Sequence, residues 1–484
     1  MRILYIDLDA LRPDHLGCYG YHRNTSPNID ALAAESTRFT NYYTSDAPCL
    51  PSRTALYTGV FGIHSGVVGH GGTAADLFVQ GPGRGFRDWV DNQSLPSRLF
   101  DQGFHTAQIS PFGFRHSARQ FYAGFKEIHN TGKGGMESAE EVTPVVMKWL
   151  EDHAEEDRWF LHLNYWDVHT PYRVPETYEN PFEAEPLPAW LTPEVREAHL
   201  KMVGPHKAQE INMLNDREDP AYPRHPCSLR TDGDFRRMID GYDTAIRYVD
   251  DQIGMIVAAL KKAGVFEDTL IMISSDHGEN MGELGIYGEH GTADHITCRV
   301  PMIVKGPGVK PGQVNHGLHY SLDLAPTLAE MLGLNVSECW DGTSYAAALR
   351  GEGECGRDQV VISQCAHVCQ RSVRFGPWLY MRTLHDGFHL FPREMLFHVE
   401  EDPHEQTDLA EIRPDLCHEG AARLLAWQEE QMLCSRSNVD PLWTVIREGG
   451  PFHARKEDLP RYLDHLRKTG REWAIPELLR RHGA

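Results

Sequence analysis

The chain has 484 residues, 41% of them hydrophobic, with 47 basic against 69 acidic side chains and a formal net charge of −22. That length exceeds what one ordinary core needs, so two unequal domains are expected, divided as 1–359 and 360–484. An acidic balance with no basic tract excludes a nucleic-acid or anionic-membrane surface, and no apolar run approaches the ~20 residues of a membrane span.

Ile3 to Leu8 is an apolar run that stops at Asp9, the pattern of a buried parallel strand ending where polar chemistry begins. Ligands of open α/β sheets gather at such carboxyl ends. The run is too short and too acidic for a secretion signal, and the ten cysteines show no repeated spacing. Both point away from a disulfide framework and toward a cytoplasmic location. Asn28 to Ala34 reads as a helix opening after Pro27.

Next comes Ala47-Pro48-Cys49-Leu50-Pro51-Ser52-Arg53. A lone cysteine is ordinarily a small buried hydrophobe, but packing gives no reason for Pro-Ser-Arg to follow it in that order. Ser52 to Thr58 reads as helix, which sets Cys49 at a helix N-terminus, where backbone amides and the dipole favour an anion. From 175 to 236 the pattern dissolves into proline-rich, charged sequence, as in lids and inserted binding loops. Ile246, Val249, Ile253, Ile256, Val257 and Leu260 then mark one face of a helix that Gly264 ends. Thr269 to Ser275 is an apolar strand delivering Asp276-His277-Gly278-Glu279, so the opening arrangement repeats. Pro301 to Lys305 reads as a strand and Leu322 to Leu332 as a helix, and the alternation predicts one large α/β domain over about 350 residues. Beyond Val360 the segments 372–380 and 394–398 read as strands of a smaller sheet, and 414–433 as helix. Cys365-x-x-x-Cys369 with His367 is either a metal site or a buried edge of the core.

Cys49-Leu50-Pro51-Ser52-Arg53 with Leu56-Tyr57-Thr58-Gly59 resembles the signature of the formylglycine-dependent (type I) sulfatases of the alkaline phosphatase superfamily, Cys-x-Pro-Ser-Arg with a downstream Leu-x-Thr-Gly. A maturation enzyme reads that signature and oxidises the cysteine to Cα-formylglycine. Asp9 to Asp14 with Leu16-Gly17-Cys18-Tyr19-Gly20, His169-Thr170-Pro171, Arg299-Val300-Pro301, Leu322 to Leu328 and Leu396 to Glu405 are similar to further family blocks. The nearest motifs are those of iduronate-2-sulfatase-like and phosphonate monoester hydrolase-like members. The resemblance implies a large central mixed, mostly parallel sheet flanked by helices, with a smaller C-terminal α+β subdomain on a four-stranded antiparallel sheet. It implies a sulfuric ester hydrolase acting on a sulfated mono- or oligosaccharide or similar small ester. It implies Asp9, Asp276, His277 and the formylglycine from Cys49 as ligands of a divalent metal, for which hard oxygens with one nitrogen suit Ca²⁺ first, then Mg²⁺ or Mn²⁺. Arg53 would neutralise the nucleophile and the leaving sulfate, and His169 would contact the sulfate. A phosphonate monoester or phosphodiester hydrolase with the same nucleophile is the alternative. The implied partners are the small substrate and the maturation enzyme, with oligomerisation left open.

Four departures mark this chain. Ala10 follows Asp9 where many relatives carry a second acid; Asp7, on the same side of the strand but ~6–7 Å lower, is either a substitute ligand or a supporting hydrogen-bond partner. Asp276-His277 replaces Asp-Asn. His290-Gly291-Thr292 replaces Lys-Gly-Thr, and a histidine there suits a general acid for the leaving alcohol better than a lysine does. Ile109 to His116 lacks the usual Gly-Lys-x-His cations, for which Arg115, His116 and, from Gly69-His70-Gly71, His70 are the candidate replacements.

Overall fold

The structure is a computed structural model that describes residues 1–78, 93–212, 217–435 and 437–483. Its centre is an eight-stranded sheet in the spatial order Gln313–Tyr320, Thr37–Tyr43, Met302–Lys305, Thr269–Ser274, Arg2–Leu8, Trp159–Tyr165, His105–Ile109, Glu127–His129. Only Met302–Lys305 runs against its two neighbours, and every other pairing is parallel. Helices cover both faces, which is why the central strands read as continuous apolar runs.

Residue alternation in the first strand sets the geometry of everything that follows. Leu4, Ile6 and Leu8 enter the core under the helices Asp232–Lys262 and Ala139–His153. Ile3 and Tyr5 enter the opposite core, which contains Cys49, Leu50 and Leu56 of the helix Cys49–Thr58. With a side-chain period of two, Asp7 and Asp9 follow Ile3 and Tyr5 onto the side of the Cys49 helix.

The second sheet has the order Glu394–His398, Trp378–His385, Cys369–Phe375, Gln359–Gln364, Asp46–Ala47. Its four C-terminal strands are antiparallel, but a fifth, two-residue strand just ahead of Cys49 joins in parallel, Asp46 and Ala47 pairing with Ser363 and Gln364. Four strands were expected. Two residues are too short to announce a strand by alternation. The segment 372–380 is likewise not one strand but the turn of a hairpin, bent at Gly376 with φ 46°.

The long helix begins at Asp232, fourteen residues before the apolar stripe at Ile246 becomes clear in the sequence. Thr231 and Asp234 form a capping box at its start, satisfying amides that the first turn leaves unpaired. Its first turns bury Asp240 and Asp243, both 2.8 Å from Arg23 Nη1, and these acids break the apolar period. Within 175–236, of which 213–216 lie outside the described residues, a helix spans Pro193–His199. The stretch is anchored where Arg471 donates to buried Glu210 and where Trp190 stacks on His404 at 4.3 Å. Cys365 and Cys369 pack with Val68, Ala74, Leu442 and Val445, the buried-edge reading of that pair. Among the described residues no helix is long and apolar enough to cross a membrane.

Candidate active site

Strands Arg2–Leu8 and Thr269–Ser274 pair in register with Asp7 opposite Ser274, so continuing the register sets Asp9 beside Asp276 just past both ends. Ala10 turns the chain there with φ 62°, and its amide donates to Asp276 Oδ1 at 3.3 Å. The helix Cys49–Thr58 points its first turn at the same spot. Ser52 Oγ donates to the Asp276 carbonyl at 2.6 Å, tying helix to strand end. Gly59 closes the helix with φ 70°, where a Cβ would lie 2.5 Å from Trp340. Thus two residues of the signature, Ser52 and Gly59, have positional roles.

Cys49 Sγ lies 3.1 Å from His277 Nε2. The other ring nitrogen of His277, Nδ1, lies 2.8 Å from the Gly278 carbonyl; with the proton there, the Nε2 lone pair faces Cys49 and Asp276 Oδ2, the latter at 3.2 Å. Asp9, Cys49, Asp276 and His277 each offer a ligand atom, all within 4.8 Å of one another. Neither buried Asp9 oxygen accepts a hydrogen bond; Oδ2 faces Arg53 as an ion pair and Oδ1 is left unsatisfied, which a buried carboxylate does not ordinarily tolerate. Burial pushes the Cys49 thiol well above its usual range, and the Asp9 and Asp276 charges add to the effect. Burial also lifts Asp276 to about 6 against the pull of Arg53.

Arg53 is fully buried and fans across three acids: Nε to Asp7 Oδ2 at 2.6 Å, Nη2 to Asp9 Oδ2 at 3.0 Å and Nη1 to Asp276 Oδ2 at 2.5 Å. Its guanidinium carbon stands 4.4 Å from the Phe112 ring centroid. Burial by itself raises the Asp7 carboxyl, but Arg53 and His162 beside it hold it below its usual range. Asp7 therefore grips the arginine, with its second oxygen left without a partner.

Histidines form the facing wall. The His290 ring stacks on His277 with centroids 3.9 Å apart, and His169 lies 5.0 Å from His290 and 6.3 Å from His277. Gln364 of the smaller sheet donates to the His290 carbonyl at 2.8 Å. His290 Nε2 is 3.1 Å from Glu289 Oε1 and Nδ1 is 3.3 Å from Glu279 Oε2. Burial pushes His290 well below the usual histidine range, with Glu289 opposing. His116 packs on Phe112 with centroids 4.5 Å apart and lies 5.2 Å from His70, whose Nδ1 is 3.2 Å from His453 Nε2. Burial lowers His116 to about 3. Arg115 is exposed, with its guanidinium 4.9 Å from the Trp166 ring and donating to the Gly134 carbonyl at 2.8 Å.

The sequence-named residues thus separate into a tight set, Asp9, Cys49, Asp276 and His277 around Arg53, and an outer set of histidines at ring distances of 4–6 Å. Sequence reasoning passed over Arg173, which donates to the carbonyls of Trp166 and His169 at 2.8 Å each and props the His169 loop. It gave Glu279 no role beyond its place at the strand end, and it missed Glu289, which precedes His290, as well as His206 and His453, which no motif marks.

The sequence model described as Sulfatase matches residues 2–334. Choline-sulfatase of Rhizobium meliloti is 27% identical over 434 residues, covering 80% of this chain and 78% of that protein. Iduronate 2-sulfatase of Homo sapiens is 24% identical over 413 residues, covering 73% of each. Among solved structures, the phosphonate monoester hydrolase of Agrobacterium radiobacter superposes with a TM-score of 0.68 at 21% identity, covering 90% of this chain and 97% of that one.

Proposed function

The chain belongs to the sulfatase family and is a sulfuric ester hydrolase; from that premise we propose that it removes sulfate from a sulfated carbohydrate, using a formylglycine made from Cys49 and a divalent cation held by Asp9, Asp276 and His277. The observation that carries this reading is the convergence of those four residues within 4.8 Å, with neither Asp9 oxygen accepting a hydrogen bond and only Oδ2 facing a charge, that of Arg53. Carboxylate oxygens with one imidazole fit Ca²⁺, and also Mg²⁺ or Mn²⁺. A cation bound there would supply Lewis acidity that lowers the cost of ionising the nucleophile and of charge building up on the sulfate. A hydrated aldehyde at residue 49 would offer one hydroxyl to attack sulfur as the alcohol leaves and a second whose deprotonation re-forms the aldehyde as sulfate leaves, splitting one difficult displacement into two easier steps. Cys49 as a thiol, held protonated by burial, supplies neither.

The side chains do the rest. Arg53, fixed by Asp7, places a permanent cation against the reacting oxygens, where preorganised charge is most effective. His169 binds the sulfate, and His290 hydrogen-bonds the departing oxygen; it serves as proton donor there to the extent that Glu289 and the bound anionic substrate offset the burial that keeps the ring neutral in the empty site, with His70, His116 and Arg115 as outer contacts for the rest of the substrate. Because Cys49 is 3% exposed and every residue of its helix is buried, the maturation enzyme acts on the signature before the fold closes. Ten cysteines without a repeated spacing fit a cytoplasmic setting, in which the substrate is a small imported ester. The division at 359/360, with 175–236 shielding the site, belongs to the same reading.

A phosphonate monoester hydrolase activity is the second reading, favoured by the His277 and His290 substitutions. Initial rates on an aryl sulfate and on a phenyl phosphonate ester of the same phenol separate the two. The sulfate is expected to be faster in kcat/KM by about tenfold or more, and sulfated mono- and disaccharides to release sulfate. A preference for the phosphonate overturns the proposal.

A further inference from the structure

Beside the active site, next to His290, three chain segments meet around one carboxylate. His206 comes from the irregular stretch 175–236, Glu289 ends the short strand Tyr287–Glu289, and His367 sits in the turn between Gln359–Gln364 and Cys369–Phe375. We propose that His206, Glu289 and His367 form a second metal site, for a transition-metal cation of the Zn²⁺ type. None of the three is among the ligands of the cation proposed above.

Spacing is the first argument. His206 Nε2 is 3.3 Å from Glu289 Oε2, His367 Nε2 is 3.5 Å from Glu289 Oε1, and the three ligand atoms lie within 4.8 Å of one another. Tetrahedral Zn²⁺, with bonds of ~2.0–2.2 Å, sets neighbouring ligand atoms roughly 3.4 Å apart. A charge-assisted hydrogen bond between imidazolium and carboxylate is shorter, ~2.7–2.9 Å.

Tautomer is the second. His206 Nδ1 lies 2.9 Å from the Ile211 carbonyl, so its proton is drawn to that nitrogen and the Nε2 lone pair is left facing a carboxylate oxygen. Two acceptors facing each other call for a cation between them, and a backbone carbonyl on the remote nitrogen is how metal-binding histidines are oriented. Burial and neighbouring imidazoles push His367 well below its usual range, leaving the neutral ring that ligation needs.

Support for His367 is the third. His453 stacks on it with centroids 4.1 Å apart and planes 14° apart, donates its backbone amide to Ala366 at 2.9 Å, and touches His70 at 3.2 Å. That fixes the His367 ring with Nε2 toward Glu289. Two borderline imidazole nitrogens beside one hard carboxylate oxygen favour Zn²⁺ over Ca²⁺ or Mg²⁺, which take mainly oxygen ligands. The three side chains are each about one-tenth exposed, so a fourth position is left for water or a substrate oxygen. Glu289 Oε1 also faces His290 Nε2 at 3.1 Å, which couples this cation to the active-site wall.

The test is metal binding to the full chain, stripped with a chelator and then saturated with Ca²⁺. Zn²⁺ alone is titrated against a chromophoric competitor, and Co²⁺ uptake is followed by its visible absorption. One tight equivalent is expected in the wild type and in Asp276→Ala, and an affinity lower by about 100-fold or more in His206→Gln and in His367→Gln, each checked for native circular dichroism. His206→Ala serves where the glutamine variant does not fold. Absence of a tight equivalent in the wild type overturns the proposal, as does unchanged affinity in the folded variants; so does its disappearance in Asp276→Ala alone. Chemical conversion of Cys49 and sulfate release are read separately.

Discussion

Asp276→Ala lowers turnover by about a thousandfold or more, the several kcal/mol that a lost Lewis acid is worth, and releases the divalent cation while the fold persists. The side chain stands beyond the end of Thr269–Ser274, facing Asp9, His277 and Arg53. The bond that ties the Cys49 helix to this strand uses the Asp276 carbonyl, which the substitution keeps. The structural losses are the contact from the Ala10 amide, worth about 1 kcal/mol, and one of the three acids that face Arg53, which keeps Asp7 and Asp9. Metal content by elemental analysis beside kcat and far-UV circular dichroism checks it. Normal cation content in the folded variant would show that Asp276 is not a ligand.

Arg53→Ala destabilises the cation-free protein by about 3–5 kcal/mol, the cost of stranding buried charge, and added Ca²⁺ recovers part of that loss. The guanidinium is the group that faces Asp7, Asp9 and Asp276 together, so its removal leaves three buried carboxylates in mutual repulsion. A divalent cation is then the remaining compensation, which gives the variant a larger stabilisation by cation than the wild type shows. Arg53→Lys keeps one charge but cannot span three acids with a planar fork, and its turnover still falls about 10²–10³-fold, as for lost preorganised donors. Urea midpoints with and without Ca²⁺ read the first effect. Equal midpoints for wild type and Arg53→Ala without cation would contradict the arrangement.

What the sequence disclosed was what short spacings can encode. Ile3 to Asp9 and Thr269 to His277 each carry strand and ligand within nine residues, and Cys49 to Gly59 carries the helix start, the Ser52 tie and the Gly59 turn. Asp7 was left open between ligand and support because strand alternation gives a side, not a partner; the partner is Arg53, 46 residues away. The early turns of Asp232–Lys262 were hidden because buried Asp240 and Asp243 read as surface until Arg23 is placed against them. Asp46–Ala47 was invisible because a two-residue strand has no period, although it joins the small sheet to the segment holding Cys49. The histidine wall was half legible: His169 and His290 stand in recognisable blocks, whereas His206 and His453 reach it only by tertiary packing.

If Cys49 is the precursor of the nucleophile, the mass of the Cys49 peptide from active protein records the conversion. Active protein is expected to contain a species lighter than the cysteine form by roughly 18 Da, with a hydrate that restores that mass, as oxidation of the thiol carbon to an aldehyde requires, in a fraction that rises with specific activity across preparations. Full sulfate-ester turnover by protein whose Cys49 is wholly unmodified would contradict it.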